Sequence, residues 1–171
     1  MDKDQKPPPY TLPFAGEDKD TAGEQEIKEF HFHIYYFQDN PESRESAMAL
    51  REKVLDLTAD GYFHAVPLAT HNDRPRGPHP VGSFEVWCPK EGFSRAFGFF
   101  LQNRGSHSVL VHPLTREEAK DHTERASWMG PPFPLDITQL SPLLDRLPAQ
   151  YPELGLGYSK RDDDEDATIV S

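Results

Sequence analysis

The chain holds a single cysteine, Cys88, among its 171 residues. One thiol closes no internal disulfide and builds no thiolate metal cage, which excludes a disulfide-stapled scaffold and a Cys-rich zinc module. Long apolar runs are missing too. No stretch approaches the roughly 20 residues that cross a bilayer, and the opening MDKDQKPPP lacks the apolar centre of a secretory signal. Basic clusters are equally absent: 18 Lys and Arg stand against 29 Asp and Glu, a net charge of -11. Binding to phosphates needs grouped cations, so neither nucleic acid nor an anionic membrane is an expected partner. A cytoplasmic, reducing setting is the expectation.

The charge is concentrated at the ends. Residues 1–25 mix Pro7, Pro8 and Pro9 with charges and glycine, a composition that buries too little apolar surface to offset the entropy of ordering, and they read as a disordered arm. Residues 159–171 carry the acidic run Asp162 to Asp166, which repels itself and reads as a disordered tail. Between them, 26–158 is long enough for one domain. A hydrophobic content of 36% with 11% aromatic residues suffices for its core.

Periodicity divides this domain into strands and helices. Phe30 to Phe37 is aromatic and β-branched and reads as a buried strand. Asn40-Pro41 breaks it, and Ser43 is placed to cap a helix whose apolar positions Ala47, Leu50, Val54 and Leu57 recur at spacings of three and four, with Gly61 ending it. Tyr62 to Leu68 and Val81 to Trp87 read as the next two strands, joined by a long loop. Phe93 to Asn103 is a second helix, with Phe93, Phe97, Phe100 and Leu101 on one face and Gly105 at its C-terminal end. Ser108 to Val111 is the fourth strand, stopped by Pro113. The order β-α-β-β-α-β predicts an α+β fold of the ferredoxin-like, split βαβ type: a four-stranded antiparallel sheet with helices on one face. Thr115 to Ala126 and Leu140 to Leu147 predict two further short helices.

The histidines are the main chemical signal. Four of the eight occur in three phrases, HFHIYYF at 31–37, GPHP at 77–80 and LVHP at 110–113, and a fifth lies in DHT at 121–123. With almost no thiol present, such a set makes a nitrogen and oxygen site suited to Fe, Zn, Cu or Mn. His31 and His33 are two apart on a strand, so they share a face with α-carbons about 6.5 to 7 Å apart. In the split βαβ order the first strand lies between the third and fourth and antiparallel to both. That topology brings His112 and Glu85 to the same region. Two or three imidazoles with one carboxylate is the composition of a non-haem Fe(II) site. The bland reading is that each strand-end histidine is a hydrogen-bonded packing residue.

His79 fits this placement poorly, because the start of the third strand belongs at the other end of the sheet. Either the loop preceding it curls toward the site or a second subunit contributes. Asp121 and His122 read as the polar face of a helix or, more sharply, as a proton relay. His64, His71 and His107 read as surface residues, and Trp128 and Phe133 as core.

Taken together, HFHIYYF, GPHP, NRGSHSVLVHP and DHTERASWMG resemble the DOPA 4,5-dioxygenase family, over about Phe30 to Asp136 and in order. The resemblance implies extradiol cleavage of a catechol with molecular oxygen, in which L-DOPA becomes a ring-opened seco-DOPA able to close to betalamic or muscaflavin-type pigments. It implies Fe(II) as cofactor and puts the family's histidines on His31, His33, His79, His112 and His122. His31, His33, His112 and Glu85 are then the expected metal ligands. His79 and His122, with Asp121, are the expected proton carriers, and Arg104 is the candidate partner for a substrate carboxylate. The alternative is a non-catalytic ferredoxin-like protein that binds a metal or a small aromatic molecule. A homodimer through the exposed sheet is a possible assembly.

Overall fold

The Asn40-Pro41 step that interrupts the sequence pattern starts the first helix in a computed structural model that describes residues 26–160. The elements run β1 (Glu29–Tyr36), α1 (Pro41–Ala59), β2 (Val66–Asn72), β3 (Gly82–Pro89), α2 (Lys90–Asn103), β4 (Val109–Pro113), α3 (Glu118–Asp121) and β5 (Ser127–Met129). The sheet order is β2-β3-β1-β4-β5, antiparallel throughout. The split βαβ expectation therefore holds, with a fifth strand added beside β4. Short β5 escaped notice because only three residues pair. The arm at 1–25 and all but the first two residues of the tail at 159–171 lie outside the described residues. Among the described residues, no helix is long and apolar enough to cross a membrane.

Strand parity sorts the two faces. Phe32 and Ile34 of β1 point to the helices with Phe84, Val86, Val109 and Val111, where they meet Ala47, Leu50 and Val54 of α1 and Ala96 and Phe100 of α2. Phe32 stacks on Phe100 with centroids 5.2 Å apart. Burying each such ring contributes about 1.5–3 kcal/mol, so this layer supports the sheet without help from the other face. The odd-numbered residues His31, His33 and Tyr35 face the opposite way. Among the described residues, loops and a single helical turn at Glu118–Asp121 lie over them in place of a helix layer.

Several local expectations are corrected. Asn40 caps α1, accepting from Ser43 N at 3.1 Å, while Ser43 Oγ accepts from Phe37 N at 3.0 Å and ties the strand exit to the helix. Leu101 is 55% exposed, since α2 buries Gly92, Ala96, Phe99 and Phe100 instead. Gly92 is needed there: a Cβ would stand 2.6 Å from His64 O. The strand read at Tyr62 begins only at Val66 and runs to Asn72, with an irregularity between Pro67 and His71. The expected helix over 115–126 is a single turn, Glu118–Asp121. The expected helix over 140–147 does not form: Pro142 falls within it, and Leu144 N donates to Arg116 O in place of a helical partner.

Candidate metal centre and active site

The register of β1 brings the candidate ligands together. His31 pairs with His112 on β4 and Trp87 on β3, and His33 pairs with Glu85 on β3, so all the polar members project from one face. His33 Nε2 and His112 Nε2 lie 3.0 Å apart. Glu85 spans the strand-one pair, with Oε1 3.2 Å from His31 Nε2 and Oε2 3.6 Å from His33 Nδ1. His31 Nε2 also lies 3.1 Å from Gln150 Oε1.

His79 joins this group, contrary to its expected place at the far end of the sheet. The loop before β3 doubles back through a tight turn in which Arg76 and His79 exchange backbone hydrogen bonds around Gly77, at φ 55. It then lies across the loop-covered face, where the His79 and His33 rings are 4.3 Å apart and His79 Nδ1 is 2.7 Å from Tyr35 OH. The other late arrival is His122, the C-cap of α3, whose ring centre is 3.9 Å from that of His112. Asp121 supports it indirectly. Its carboxylate accepts from Thr115 N and Oγ1 and from Arg125, so it braces the turn that carries His122 and is already fully engaged.

Two expected residues lie elsewhere. Arg104 donates to His107 O at 2.8 Å and packs against Gly130, outside the cavity of the histidine cluster. A substrate carboxylate in that cavity has no contact with it. His107 is not a surface residue: it is buried, with Nδ1 donating to Tyr35 O at 3.0 Å and Nε2 accepting from Ser46 Oγ at 2.6 Å. Trp128 and Phe133 are only half-buried, and each stacks on Tyr35.

The cluster lines a cavity of about 290 Å3. Its floor is His31, His33, Glu85 and His112, its sides carry His79 and His122, and its roof is Leu140, Leu144, Pro148 and Gln150. Burial holds His31 and His79 down to about pKa 4, and His33 and His112 well below the ordinary value, with the neighbouring imidazoles adding to the effect. His122 is lowered by burial as well. Burial pushes the Glu85 carboxyl the other way, to about 7. The His31–Glu85 contact thus sets a neutral imidazole beside a carboxyl and is not an ion pair.

Neutral imidazoles carry a lone pair for a metal. His112 Nδ1–H donates to Pro113 O at 2.8 Å and His122 Nδ1–H to Glu118 O at 3.0 Å, which fixes the tautomer and leaves each Nε2 as the acceptor. Among the described residues, two groups have donor atoms within 4.8 Å of one another: His31, His33 and His112, and His33, His79 and His122. The donor set therefore suits a divalent transition metal, and His33 belongs to both groups. Tyr35 and Glu29 share this face by strand parity and were readable from the period of two. Gln150, on an irregular segment, carried no such signal.

A sequence model of the Dopa 4,5-dioxygenase family matches residues 30–139. The chain belongs to that family. It is similar to DOPA 4,5-dioxygenase of Amanita muscaria, 52% identical over 142 residues that make up 83% of this chain and 62% of that protein. It also resembles an uncharacterized 21.2 kDa protein of Botryotinia fuckeliana, 37% identical over 118 residues, 64% of this chain and 61% of that one. The chain thus spans about three fifths of the length of these two relatives. Among solved structures, a Nostoc punctiforme protein described as a candidate dioxygenase superposes with TM-score 0.58 at 30% identity, covering 66% of this chain and 90% of that one. The family match takes in all five cavity histidines and Glu85, and it stops just short of the roof residues Leu140 to Gln150.

The protonation states give a prediction for the metal-free protein of this Dopa dioxygenase relative. An unfolded histidine binds a proton near pH 6.5, whereas His31 and His79 in the fold wait until about 4. Their contribution is fully present above 6.5 and is lost as pH falls toward 4. Glu85 opposes this, since its raised value makes the fold lose stability as pH rises from 4.5 to 7. Five lowered histidines outweigh one raised carboxyl. Melting curves with chelator present are expected to show a lower midpoint at pH 5 than at pH 7, and a His79→Gln variant a flatter dependence; a midpoint that rises on acidification contradicts the assignment.

Proposed function

We propose that this chain is a non-haem iron dioxygenase that opens the ring of L-DOPA or a related catechol beside the two hydroxyls, acting in the cytoplasm. The observation that carries the reading is the convergence of five buried, neutral imidazoles and the Glu85 carboxyl on a single roofed cavity. The name of the Amanita relative supports the substrate class. In DOPA the hydroxyls stand on ring carbons 3 and 4, so a 4,5 cleavage lies outside the diol and is extradiol.

His31, His33, His112 and Glu85 are the residues proposed to hold Fe(II). The ferrous ion supplies Lewis acidity toward the catechol and one-electron chemistry with oxygen. The protein does the rest. Leu140, Leu144 and Pro148 give the cavity apolar surface against which the ring packs. His122 or His79 takes a hydroxyl proton from the catechol and returns it as the ring opens. One carbon–carbon bond breaks and both oxygen atoms enter the product, leaving an aldehyde at one end and a carboxylate at the other.

An oxygen electrode tests this with Fe(II)-loaded protein and a panel of L-DOPA, dopamine and catechol. Uptake of one oxygen per catechol, with a yellow product heavier by both oxygen atoms, is the expected result. No uptake with any of them by protein that retains iron would leave a binding protein and overturn the proposal.

A further inference from the structure

The roof of the cavity is fastened to the sheet at one buried point. Glu29 opens β1 on the same face as His31 and His33 and is fully buried. Its Oε2 accepts from Trp87 Nε1 at 2.8 Å and from Gln150 N at 3.3 Å, and its Oε1 accepts from Tyr158 N at 3.0 Å. Gly157 closes over it, so near that a Cβ would come within 2.5 Å of Glu29 Cγ. Tyr158 OH adds a bond to Leu114 O at 2.8 Å. A buried carboxylate requires such donors, and two of the three are backbone N–H groups of the same C-terminal segment. Glu29 thereby fixes where residues 150–158 cross the sheet.

What this clasp delivers to the cavity is the Gln150 side chain. Its Oε1 lies 3.1 Å from His31 Nε2, which sets the amide group, with two N–H donors, beside the imidazole cluster. The other polar groups lining the cavity are imidazole nitrogens, the Thr115 hydroxyl and the carboxyls of Glu85, Glu118 and Asp121. Thr115 Oγ1 is already taken up by Asp121. A catechol oxygen is an acceptor and needs a donor. Both Glu29 and Gln150 lie outside the 30–139 stretch matched by the family, so the pair belongs to the part of the site least determined by membership.

We infer that Gln150 contacts the substrate, donating a hydrogen bond from its side-chain amide to a catechol oxygen, and that Glu29 is the positioning residue that holds it there. The inference rests on the catechol reading of the site. Gln150→Met keeps the length of the side chain and removes the donor; Glu29→Gln leaves one acceptor oxygen where three donors converge. Binding of catechol and L-DOPA is measured by calorimetry under argon on iron-loaded protein, with KM and kcat from oxygen uptake and amide exchange at Gln150 and Tyr158 in metal-free protein.

Gln150→Met is expected to weaken catechol binding about tenfold, the scale of one lost hydrogen bond, raising KM more than it lowers kcat when the proteins are compared at equal iron occupancy. Glu29→Gln is expected to weaken binding similarly and to speed exchange at both amides. The double variant is expected to bind no more weakly than the weaker single one, because Glu29 acts through Gln150. Unchanged catechol affinity in Gln150→Met overturns the inference, and that variant reads it even where Glu29→Gln fails to fold. Additive losses in the double variant overturn the positioning role. A wild-type protein that neither binds catechol nor consumes oxygen sinks the catechol reading itself, before any variant is compared.

Discussion

Replacing His33 with alanine is expected to empty the metal site while leaving a cooperative fold. His33 is the one residue common to both groups of candidate ligands, with His31 and His112 on one side and His79 and His122 on the other. Whichever group holds the ion, it loses a nitrogen. Changes to residues that merely orient ligands cost about ten- to a hundredfold in affinity, so losing the ligand itself is expected to cost at least the upper end of that range. His112→Ala is expected to do the same, since its Nε2 is presented to the cluster by a fixed Nδ1–H bond to Pro113 O. The fold persists because these imidazoles lie opposite the layer of Phe32, Val86, Phe100 and Ala47 that joins helices to sheet. Iron retained after gel filtration, measured beside the thermal transition, checks both parts. Full retention in both variants would remove His33 and His112 from the metal's ligands.

The parts of this site that sequence made legible are those governed by strand periodicity. A period of two puts His31 and His33 on one face, and the antiparallel order of a split βαβ unit then brings up His112 and Glu85; the register realises both steps. What was not legible depends on irregular chain. His79 reaches His33 because a turn at Gly77 sends the loop back across the sheet, and nothing in GPHP states which way that loop folds. Gln150 lies three residues past the Leu140 to Leu147 stretch that reads as a helix, in irregular chain with no period to place its side chain. Arg104 was drawn in by its neighbours in the NRG phrase, yet its guanidinium serves the carbonyls at the end of α2. The five-residue β4 was found and the three-residue β5 was not, because three residues carry no periodicity to read.

His79→Gln and His122→Gln are expected to separate proton transfer from metal binding. Glutamine keeps polar atoms near the ring positions but cannot exchange a proton, so a lost acid or base shows as turnover lowered about a hundredfold or more with iron still bound. The surroundings of the two residues differ. His122 Nδ1–H is committed to Glu118 O, so only Nε2 is available to the cavity. The partner of His79 Nδ1 is the hydroxyl of Tyr35, whose ring stacks with Trp128 and with Phe133, and a hydroxyl can give or take the hydrogen, so either tautomer of His79 is supported. A residue able to change tautomer without losing its partner is the better suited to carry a proton out and back. The larger loss of turnover is therefore expected in His79→Gln, read as catechol-dependent oxygen uptake across a range of pH on Fe(II)-loaded protein. Loss of iron from His79→Gln and His122→Gln, with His112→Ala retaining it, would move the ion to the His33, His79 and His122 group. Normal turnover in both glutamine variants would show that neither histidine moves the catechol proton.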